Sequence, residues 1–597
     1  MAVQRVLTQA LLHVNTAVRL RPRQVAWRLR YGFRRLRGFR PPPMPKEAPA
    51  FDRACLQRLR ALMTHWAHWA PPVPSRLDDL REGRFTFAGE TAVARGAPPW
   101  DATERSRLWR YEIQYCAFVR DLALAHLLSP REEDRDRVSR WLHDWLAHHP
   151  PDAGAAWAAY PTAARLMNWA LAESVFAFDD PGIRLSYARQ AAHLSRSLEW
   201  DIDGNHLLQN AAGLTVAGAL LGDPIEARGA AVLDEVLSAQ VLRDGGHVER
   251  CPMYHARALL DVTVARAASL NGTAWDPRLA EMAGFLRSIL HDDGDLPQFG
   301  DSARGEYPPA LAVAALADGE AGTTACLAAV TQAASGIHVL TAKNNPFRVI
   351  VRASAPGPAW QPGHAHGDAL SYELSLRGVR VVVDTGVHGY DGSPLRDYCR
   401  STAAHNTVQV GGIEQMRFWK TFRAAQRYVL EDGRLEETGG ETRFVGCCKV
   451  VAWYRHVRDI RLSAEAAGRL VVRDSLSGRL SGQTVRSYVH LHPAWRAAAD
   501  GLAAVVSDGD VTLRFAAEGE GVGWEIRRGA MPPAWIPKWR GASRVREEFV
   551  ASAEGWYCEA FGKVEPTDVL VLEGRASADA TTFDMGYTVT VCAEGAS

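Results

Sequence analysis

The fold class is decided by residues 338–352, His-Val-Leu-Thr-Ala-Lys-Asn-Asn-Pro-Phe-Arg-Val-Ile-Val-Arg, because the hydrophobic period of the chain changes here. Upstream, from about residue 51 to 335, apolar residues recur at spacings of three and four, which indicates amphipathic helices. Downstream, short runs rich in Val, Ile and Thr alternate with polar residues and end at Gly, Asp or Ser, as β-strands do. The sequence therefore predicts a helical domain followed by a β-domain.

The helical part contains seven periodic segments, separated by helix-breaking pairs such as Ser129-Pro130 and Asp180-Pro181. The segments are 108–128, 135–148, 162–178, 182–198, 206–221, 227–242 and 254–270. Paired helices of about 15 residues with short links are typical of helical hairpin architectures. We therefore expect an N-terminal α/α toroid or solenoid.

The β-part contains nine strand-like runs, and the pair Arg377-Gly378 predicts a tight hairpin between two of them. The runs are 338–342, 347–352, 372–376, 379–384, 407–410, 469–473, 485–491, 511–515 and 568–572. They predict a large antiparallel β-sandwich, so the chain is expected to be an α+β multidomain protein. The expected domains are an Arg-rich segment with a Pro linker (1–50), the α/α toroid catalytic domain (51–335) and the antiparallel β-sandwich (336–597).

Length and composition describe an ordinary multidomain globular protein. A chain of 597 residues is too long for one hydrophobic core, and 47% hydrophobic with 23% charged residues is close to average. Nine scattered cysteines without a CxxC pair are too irregular for a disulfide framework or a thiolate zinc site. The 19 Trp are a surplus that a sugar-binding cleft would use.

The first 40 residues carry ten Arg and no Asp or Glu, although the whole chain has a net charge of only +1. We interpret this stretch as an Arg-laced amphipathic helix packed on the acidic body of the protein, with contact to nucleic acid or anionic lipid as alternatives. His13 and Asn15 interrupt the apolar run 6–18, so it makes a poor signal peptide. No window reaches the roughly 18 apolar residues of a membrane span. We expect a soluble protein of undecided compartment and oligomeric state.

Three polar clusters are candidates for chemistry. In the first, 203–210, Asn205 and His206 stand at a helix N-terminus, where backbone N–H groups favour an anion. The second, 244–255, ends in Tyr254 at the start of a helix, and the third, 363–368, contains His364. Each has a structural alternative: an Asn cap, a packed Tyr or a buried His with its hydrogen bonds made within the core.

His366, Asp384 and His405 supply nitrogen and oxygen donors that suit Zn²⁺ or, less well, Mn²⁺. One observation conflicts with separate roles for the two neighbouring histidines. On a strand, residues two apart share a face, so periodicity alone places His364 and His366 on one metal.

With these segments in view, the chain resembles the heparinase II/III-like polysaccharide lyases, which are related to the oligoalginate lyases. The resemblance rests on an ordered set of landmarks between about residues 155 and 410: Trp157, Tyr160 to Arg165, Asn168-Trp169, Gly204-Asn205-His206, Asp244 to His247, Tyr254-His255, Gly300-Asp301-Ser302, His364 to Asp368, Arg400-Ser401-Thr402 and His405 to Val408. Gln209 departs from relatives that carry Glu after the Asn-His pair, which leaves the exact sugar open.

The resemblance implies an α/α toroid joined to an antiparallel β-sandwich, with an acidic polysaccharide bound between them. It implies that Asn205 and His206 neutralise a uronate carboxylate while Tyr254 and His364 transfer protons in β-elimination. The implied metal would be mainly structural and held by His366, Asp384 and His405. The predicted substrate-binding residues are Trp157, Tyr160, Arg165, Trp169, Gln209, Arg250 and Arg400. For the tryptophans, the alternative is that they pack between helices in the core.

Elimination needs these residue types because the C5 proton of a uronate is a poor acid while its carboxylate is charged, so donors must first offset that charge. If the C5 proton and the C4 oxygen leave on opposite faces, His364 is the base and Tyr254 the acid; on one face Tyr254 serves as both, helped by Arg250, Arg257 or Arg400. Two alternatives remain: a non-catalytic polysaccharide-binding protein, and a glycoside hydrolase. The hydrolase would use two carboxyl groups from Asp201, Asp203, Glu249 and Asp301.

Overall fold

A computed structural model describes residues 12–152, 154–222, 224–319, 330–332, 334–450, 452–464, 468–529 and 554–592. In these ranges a basic helix is followed by a helical domain and then by a domain of antiparallel sheets. The predicted order of helices before strands is therefore correct. Within the same ranges, no helix is both long enough and apolar enough to cross a membrane.

The α-helices before the sheets differ in burial according to their position in the helical domain. In chain order they are α1 Pro22–Leu36, α2 Arg53–Trp69, α3 Pro74–Arg81, α4 Arg107–Glu112, α5 Ala117–Leu128, α6 Glu132–His148, α7 Ala159–Phe176, α8 Pro181–Leu194, α9 Gly204–Leu221, α10 Ile225–Gln240, α11 Pro252–Ala268, α12 Asp276–Ser288 and α13 Ala310–Asp318. Every residue of α7 is buried, as are almost all of α9 and α11. These apolar helices form the centre, because a helix that is hydrophobic on all sides must be surrounded by others.

The predicted helix 108–128 is wrong in one respect, because the segment is broken in two. Cys116 adopts a left-handed conformation with φ 52° between the short helix over Ile113–Tyr115 and α5. The sequence carries no Gly or Pro at this point, so the break has no local signal. The small hairpin of β1 Arg84–Phe87 and β2 Glu90–Val93 inside the helical domain was not predicted either.

The β-domain is built from three larger antiparallel sheets. Its strands are β3 Val330–Gln332, β4 Ile337–Leu340, β5 Phe347–Arg352, β6 Ser371–Leu376, β7 Val379–Val382, β8 Val408–Val410, β9 Phe418–Lys420, β10 Arg423–Ala424, β11 Val429–Thr438, β12 Glu441–Val450, β13 Tyr454–Leu462, β14 Arg469–Gly478, β15 Thr484–His490, β16 Arg496–Asp500, β17 Ala503–Ser507, β18 Thr512–Glu518, β19 Gly523–Arg528, β20 Trp556–Tyr557, β21 Glu565–Pro566, β22 Asp568–Arg575 and β23 Thr582–Val591. A short helix, α14 Pro394–Cys399, lies between β7 and β8.

The sheet orders are β3-β4-β5-β6-β7, β19-β22-β15-β8 and β11-β12-β13-β14-β23-β18-β17-β16. The predicted hairpin at Arg377-Gly378 is present, because both residues have positive φ and Leu376 pairs with Val379. In β5, Val349 and Val351 join the sandwich core, whereas Ile350 joins the core of the helical domain. The five-stranded sheet thus contributes to both the sandwich core and the core of the helical domain. Its connecting loops lie against α9 and α11.

Candidate active site

The N-terminus of α9 presents Asn205 in a fixed orientation. Asp203 caps the helix by accepting from the backbone N–H of Gly204 at 2.9 Å, and Gly204 has φ 59°. A Cβ on Gly204 would lie 2.1 Å from Glu249 Oε1, so only glycine lets this carboxylate reach the helix. Glu249 accepts from the backbone N–H of Asn205 at 3.1 Å and from its Nδ2 at 2.9 Å. Because a carboxylate only accepts, Glu249 determines which way the Asn205 amide points.

His364 lies on the loop before β6 and is positioned by the buried carboxylate of Asp301, which lies between α12 and α13. Its Nδ1 lies 2.9 Å from Asp301 Oδ2, so Nδ1 carries the proton and donates it. Its Nε2 lies 3.3 Å from Asn205 Nδ2 and accepts from that amide. His366 bonds through Nε2 to the other oxygen of Asp301 at 2.8 Å. The loop is not a strand, which removes the conflict over two histidines on one face.

Asp301 is held as a carboxylate at the centre of this arrangement. Burial alone would raise its pKa, but the Arg396 guanidinium and the hydrogen bonds from His364 and His366 hold that pKa well below its ordinary value. Arg396 pairs with both oxygens of Asp301, with Nη2 to Oδ2 at 2.9 Å. A fixed negative charge beside Nδ1 keeps His364 in the tautomer that carries its proton on Nδ1.

Tyr254 stacks its ring on His364, with ring centroids 3.7 Å apart and an interplanar angle of 26°. Its hydroxyl shares a hydrogen bond of 2.9 Å with the hydroxyl of Tyr390. Burial, followed by the neighbouring Tyr390, raises the pKa of Tyr254 well above its ordinary value. The phenol is therefore protonated at neutral pH and suited to donate a proton.

An arginine that lowers the pKa of Tyr254 was expected among Arg250, Arg257 and Arg400. In the described part of the chain, none of the three bonds to that hydroxyl. Arg257 instead lies next to the rings of Tyr160 and Tyr307 and bonds to the Tyr307 hydroxyl at 3.2 Å. The structure does not support an arginine-activated Tyr254.

His206 lies beside this group and pairs with an acidic residue. Its Nδ1 is 3.1 Å from Glu199 Oε1, and its ring packs on Tyr160 with centroids 4.6 Å apart. Burial lowers the pKa of His206, but the charge and hydrogen bond of Glu199 outweigh burial and leave the pKa raised. The imidazole thus favours its charged form and keeps Nε2 available to a substrate group.

Asn205, His206, Tyr160, Tyr254 and His364 therefore come together from α7, α9, α11 and one loop of the β-domain. The contacts are direct: Asn205 reaches His364, and His364 stacks on Tyr254. One monosaccharide is large enough to touch an amide, a phenol and an imidazole arranged in this way. The arrangement brings hydrogen-bond donors, an imidazole and a phenol together in one place.

Four predicted substrate-binding residues lie elsewhere, and these predictions are corrected. Arg165 is 0% exposed and donates to Gln190, to the carbonyl groups of Gln114 and Ala156 and to Thr162. Trp157 and Trp169 pack against Trp145 in the helical core, and Trp157 Nε1 bonds to a backbone carbonyl. Arg400 bonds to Asp397 and to the carbonyl groups of residues 420 and 421. The helix-packing alternative holds for the two tryptophans.

We expect Arg165→Met to destabilise the protein without changing its affinity for a saccharide. The substitution leaves buried acceptors without a donor, which costs about 1–3 kcal/mol each. Chemical unfolding should therefore show a loss of stability, while KM stays at the wild-type value and Arg53→Met, on an exposed residue, changes neither. An increased KM with unchanged stability would show that Arg165 binds the substrate.

Gln209 and Arg250 stay predictions for substrate binding. Gln209 lies one turn after Asn205 on α9, is fully buried, and neither atom of its amide has a hydrogen-bond partner. A buried unpaired amide is costly, so this side chain suits a position that a ligand or a water completes. Arg250 adopts φ 52° and donates to the carbonyl of Ala334 at 3.3 Å.

The three predicted metal ligands lie near one another. His405 Nδ1 is 2.8 Å from Asp384 Oδ2, and the rings of His366 and His405 are 5.3 Å apart. Over the ranges that the structure describes, no group of three or more His, Cys, Asp or Glu is arranged to hold a metal ion. Yet His366 Nδ1 and His405 Nε2 are both buried without a hydrogen-bond partner. Two unpaired imidazole nitrogens are donors that fit a divalent metal.

Several residues of the site were not assigned a place in it from the sequence. The sequence suggests Glu249 and Asp301 only as hydrolase acids, although Glu249 lies in the polar cluster 244–255 and Asp301 is one of the landmarks. Tyr390 and Arg396 come from the segment between β7 and β8, and no local pattern marks them.

Two family models match the chain in sequence. The one described as Heparinase II/III N-terminus matches residues 98–309, and the one described as Heparinase II/III-like, C-terminal, matches residues 328–585. A heparin-sulfate lyase of Pedobacter heparinus is 26% identical over 258 residues, which is 37% of this chain. The matched region spans only 38% of that relative's length.

Solved structures show the same fold over nearly the whole chain. A heparinase III matches with a TM-score of 0.65 and 15% identity, covering 93% of this chain and 87% of that one. The heparan sulfate lyase of Pedobacter heparinus matches with a TM-score of 0.56 and 17% identity, covering 87% and 82%. At such identities the likeness concerns the fold, and it confirms the predicted α/α toroid followed by an antiparallel β-sandwich.

Proposed function

Because the chain belongs to the heparinase II/III-like family, we propose that it is a polysaccharide lyase. It cleaves a uronate-containing acidic polysaccharide by β-elimination and leaves an unsaturated uronate on one product. The named relatives favour a glycosaminoglycan over an alginate, since they are lyases of heparin and heparan sulfate. The observation that carries the proposal is the contact of Asn205 and Tyr254 with a single imidazole, His364.

The residues divide the work as the chemistry of elimination requires. Asn205 has one amide hydrogen on Glu249 and directs the other at His364 Nε2 over a long 3.3 Å. A bound uronate carboxylate takes over this second hydrogen, and charged His206 supplies a further donor. Removing one such donor from a developing oxyanion costs about 3–4 kcal/mol in the transition state. Offsetting the carboxylate charge in this way makes the C5 proton removable.

The base and the acid are assigned from the protonation states in the site. His364 is the base, because Asp301 holds its proton on Nδ1 and leaves the lone pair on Nε2, which accepts only the long hydrogen bond from Asn205 that a bound carboxylate takes over. Tyr254 is the acid for the departing C4 oxygen, because its phenol carries a proton at neutral pH and its ring lies against His364.

The hydrolase alternative needs a carboxylic acid that stays protonated beside the scissile bond. Burial alone would raise the pKa of Glu249, but His364, His247 and the Asn205 amide hold it below its ordinary value. The pKa of Asp301 is held lower still by Arg396. Both carboxyl groups that approach His364 are therefore ionised and make poor general acids.

The substrate test uses a panel of heparan sulfate, chondroitin sulfate, hyaluronan and alginate. Each is incubated with the protein while the ultraviolet absorbance of the unsaturated uronate is followed. Absorbance should rise with at least one glycosaminoglycan. No rise with any member of the panel, despite saccharide binding, would favour the non-catalytic alternative.

We expect Glu199→Gln to shift the pH dependence of kcat/KM. Glu199 raises the pKa of His206, so wild-type His206 stays charged to higher pH and loses its proton as the pH rises through the raised value. Removing the Glu199 charge lowers that pKa, and the alkaline fall in kcat/KM should move to lower pH. A profile that stays in place or moves to higher pH would contradict the role of charged His206.

We further propose that one divalent metal, zinc or else manganese, is held by His366, Asp384 and His405. The two unpaired imidazole nitrogens support this, and the metal would supply local structural order beside the site. The purified protein should contain about one equivalent by elemental analysis, and a chelator should lower its Tm. His366→Ala and His405→Ala should each lose the metal. A metal-free protein with an unchanged Tm after zinc addition would refute the site.

A further inference from the structure

The outer face of α1 is an apolar stripe that no part of the described chain covers. Val25, Leu29, Phe33 and Leu36 recur at spacings of four, four and three, and they are 43%, 62%, 66% and 85% exposed. Among the described residues, half of the exposed large hydrophobic side chains lie between residues 14 and 44. The four that recur along one face of α1 mark an interaction site, since single exposed hydrophobic residues are normally scattered.

The opposite face of α1 fixes the helix to the protein and so determines which way the stripe points. Gln24 is buried and donates to the carbonyl of Ile202 at 3.0 Å, and Trp27 stacks on Trp200 with centroids 6.1 Å apart. The Tyr31 hydroxyl donates to the carbonyl of Leu198. Because this face is anchored on the helical domain, the stripe faces solvent and the helix cannot turn it inward.

The stripe is accompanied by positive charge and by no negative charge. Arg30, Arg34, Arg37 and Arg40 are exposed, and no Asp or Glu occurs between residues 12 and 46. Two other arginines are already neutralised by the protein, since Arg21 pairs with Asp203 at 3.1 Å and Arg23 pairs with Glu235. The expected packing on an acidic body is thus correct for the inner face. Arg34 also donates to the carbonyl of Arg196 at 2.6 Å, but none of the four exposed arginines has an acidic partner among the described residues.

We propose that α1 is a membrane-surface helix that docks the protein on an anionic lipid bilayer. It lies parallel to the bilayer, with Leu29, Phe33 and Leu36 at the boundary between headgroups and acyl chains and the flanking arginines on lipid phosphates. An acidic polysaccharide would satisfy the arginines but leave the stripe in water. A second copy of the chain would bring two arginine-rich faces together. Of these partners, the anionic bilayer alone matches both the charge and the apolar surface.

Co-sedimentation with vesicles tests this docking. The wild-type protein should sediment with vesicles of phosphatidylcholine and phosphatidylglycerol, much less with phosphatidylcholine alone, and less as salt is added. The stripe variant Leu29→Ser/Phe33→Ser/Leu36→Ser should lose binding at least about tenfold. The charge variant Arg30→Gln/Arg34→Gln/Arg37→Gln should lose about a hundredfold, since each basic residue near an anionic surface contributes about fivefold.

The matched control is Val93→Ser/Leu270→Ser/Leu502→Ser, which removes side chains 69%, 76% and 69% exposed away from α1 and should bind like the wild type. Circular dichroism confirms that each variant is folded, and turnover of a polysaccharide free in solution should be the same in all. Absent vesicle binding, or binding that the stripe variant retains, overturns the proposal. It is also overturned if the stripe variant only converts a dimer into a monomer, or if the charge variant only loses retention on immobilised heparan sulfate.

Discussion

Tyr254→Phe is expected to lower kcat on the polysaccharide by about 10²- to 10⁴-fold, because it removes the acid that protonates the departing oxygen. The substitution deletes one hydroxyl and keeps the ring that stacks on His364 at 3.7 Å. Saccharide binding, measured by calorimetry, should therefore stay near the wild-type value. The loss should appear in kcat, since the hydroxyl acts as an acid only in the transition state.

The matched control for this substitution is Tyr187→Phe. Tyr187 is buried in the same domain, and its hydroxyl donates to the carbonyl of Leu166 at 3.1 Å, away from the site. Both variants lose one buried hydrogen bond, so their thermal stabilities should fall by similar small amounts. Full turnover by Tyr254→Phe, or an equal loss of turnover in Tyr187→Phe, would show that Tyr254 transfers no proton.

Asp301→Asn should lower kcat on the order of 10³- to 10⁴-fold through its effect on His364. Asp301 is a positioning residue, because it fixes the tautomer of the base and does not face the sugar. An amide in its place donates as well as accepts and no longer holds the proton on Nδ1.

The same substitution also removes the partner of buried Arg396, which costs about 3–5 kcal/mol of stability. Asp474 provides a control with the same architecture away from the site. It lies 2.7 Å from His456 Nε2 and from Arg458 Nε, and all three are buried. Asp474→Asn should lose stability and keep its kcat per folded molecule. An equal loss of kcat in both variants would show that Asp301 has only a structural role.

Much of the fold could be predicted from the spacing of apolar residues in the sequence. The strand Phe347–Arg352 was predicted with its observed bounds, because it is rich in Val and Ile. All six of its residues are buried. The strands over Val429–Thr438, Glu441–Val450 and Tyr454–Leu462 were missed. The first of these is mostly exposed on both faces and rich in charge, so it has no alternating pattern to read. Its position depends on pairing with its neighbour rather than on its own sequence.

Site residues that lie beside turns could be predicted from the sequence, whereas the positions of residues that depend only on packing could not. Asn205, Tyr254 and His364 followed from the ordered landmarks, and the structure places them in contact. Arg165 was misassigned because the α7 periodicity does not say which face of an all-buried helix meets the cleft. Tyr390 reaches Tyr254 from a turn 136 residues away, which no single sequence reveals.

The most direct test of the account is digestion of heparan sulfate in ¹⁸O-labelled water, followed by mass spectrometry and ultraviolet absorbance of the products. β-Elimination should bring no ¹⁸O into the products, and each cleavage should create one absorbing, unsaturated uronate. Tyr254→Phe should form the same unlabelled product about 10²- to 10⁴-fold more slowly. One ¹⁸O per cleavage, with no ultraviolet absorbance, would contradict β-elimination and assign the site to hydrolysis.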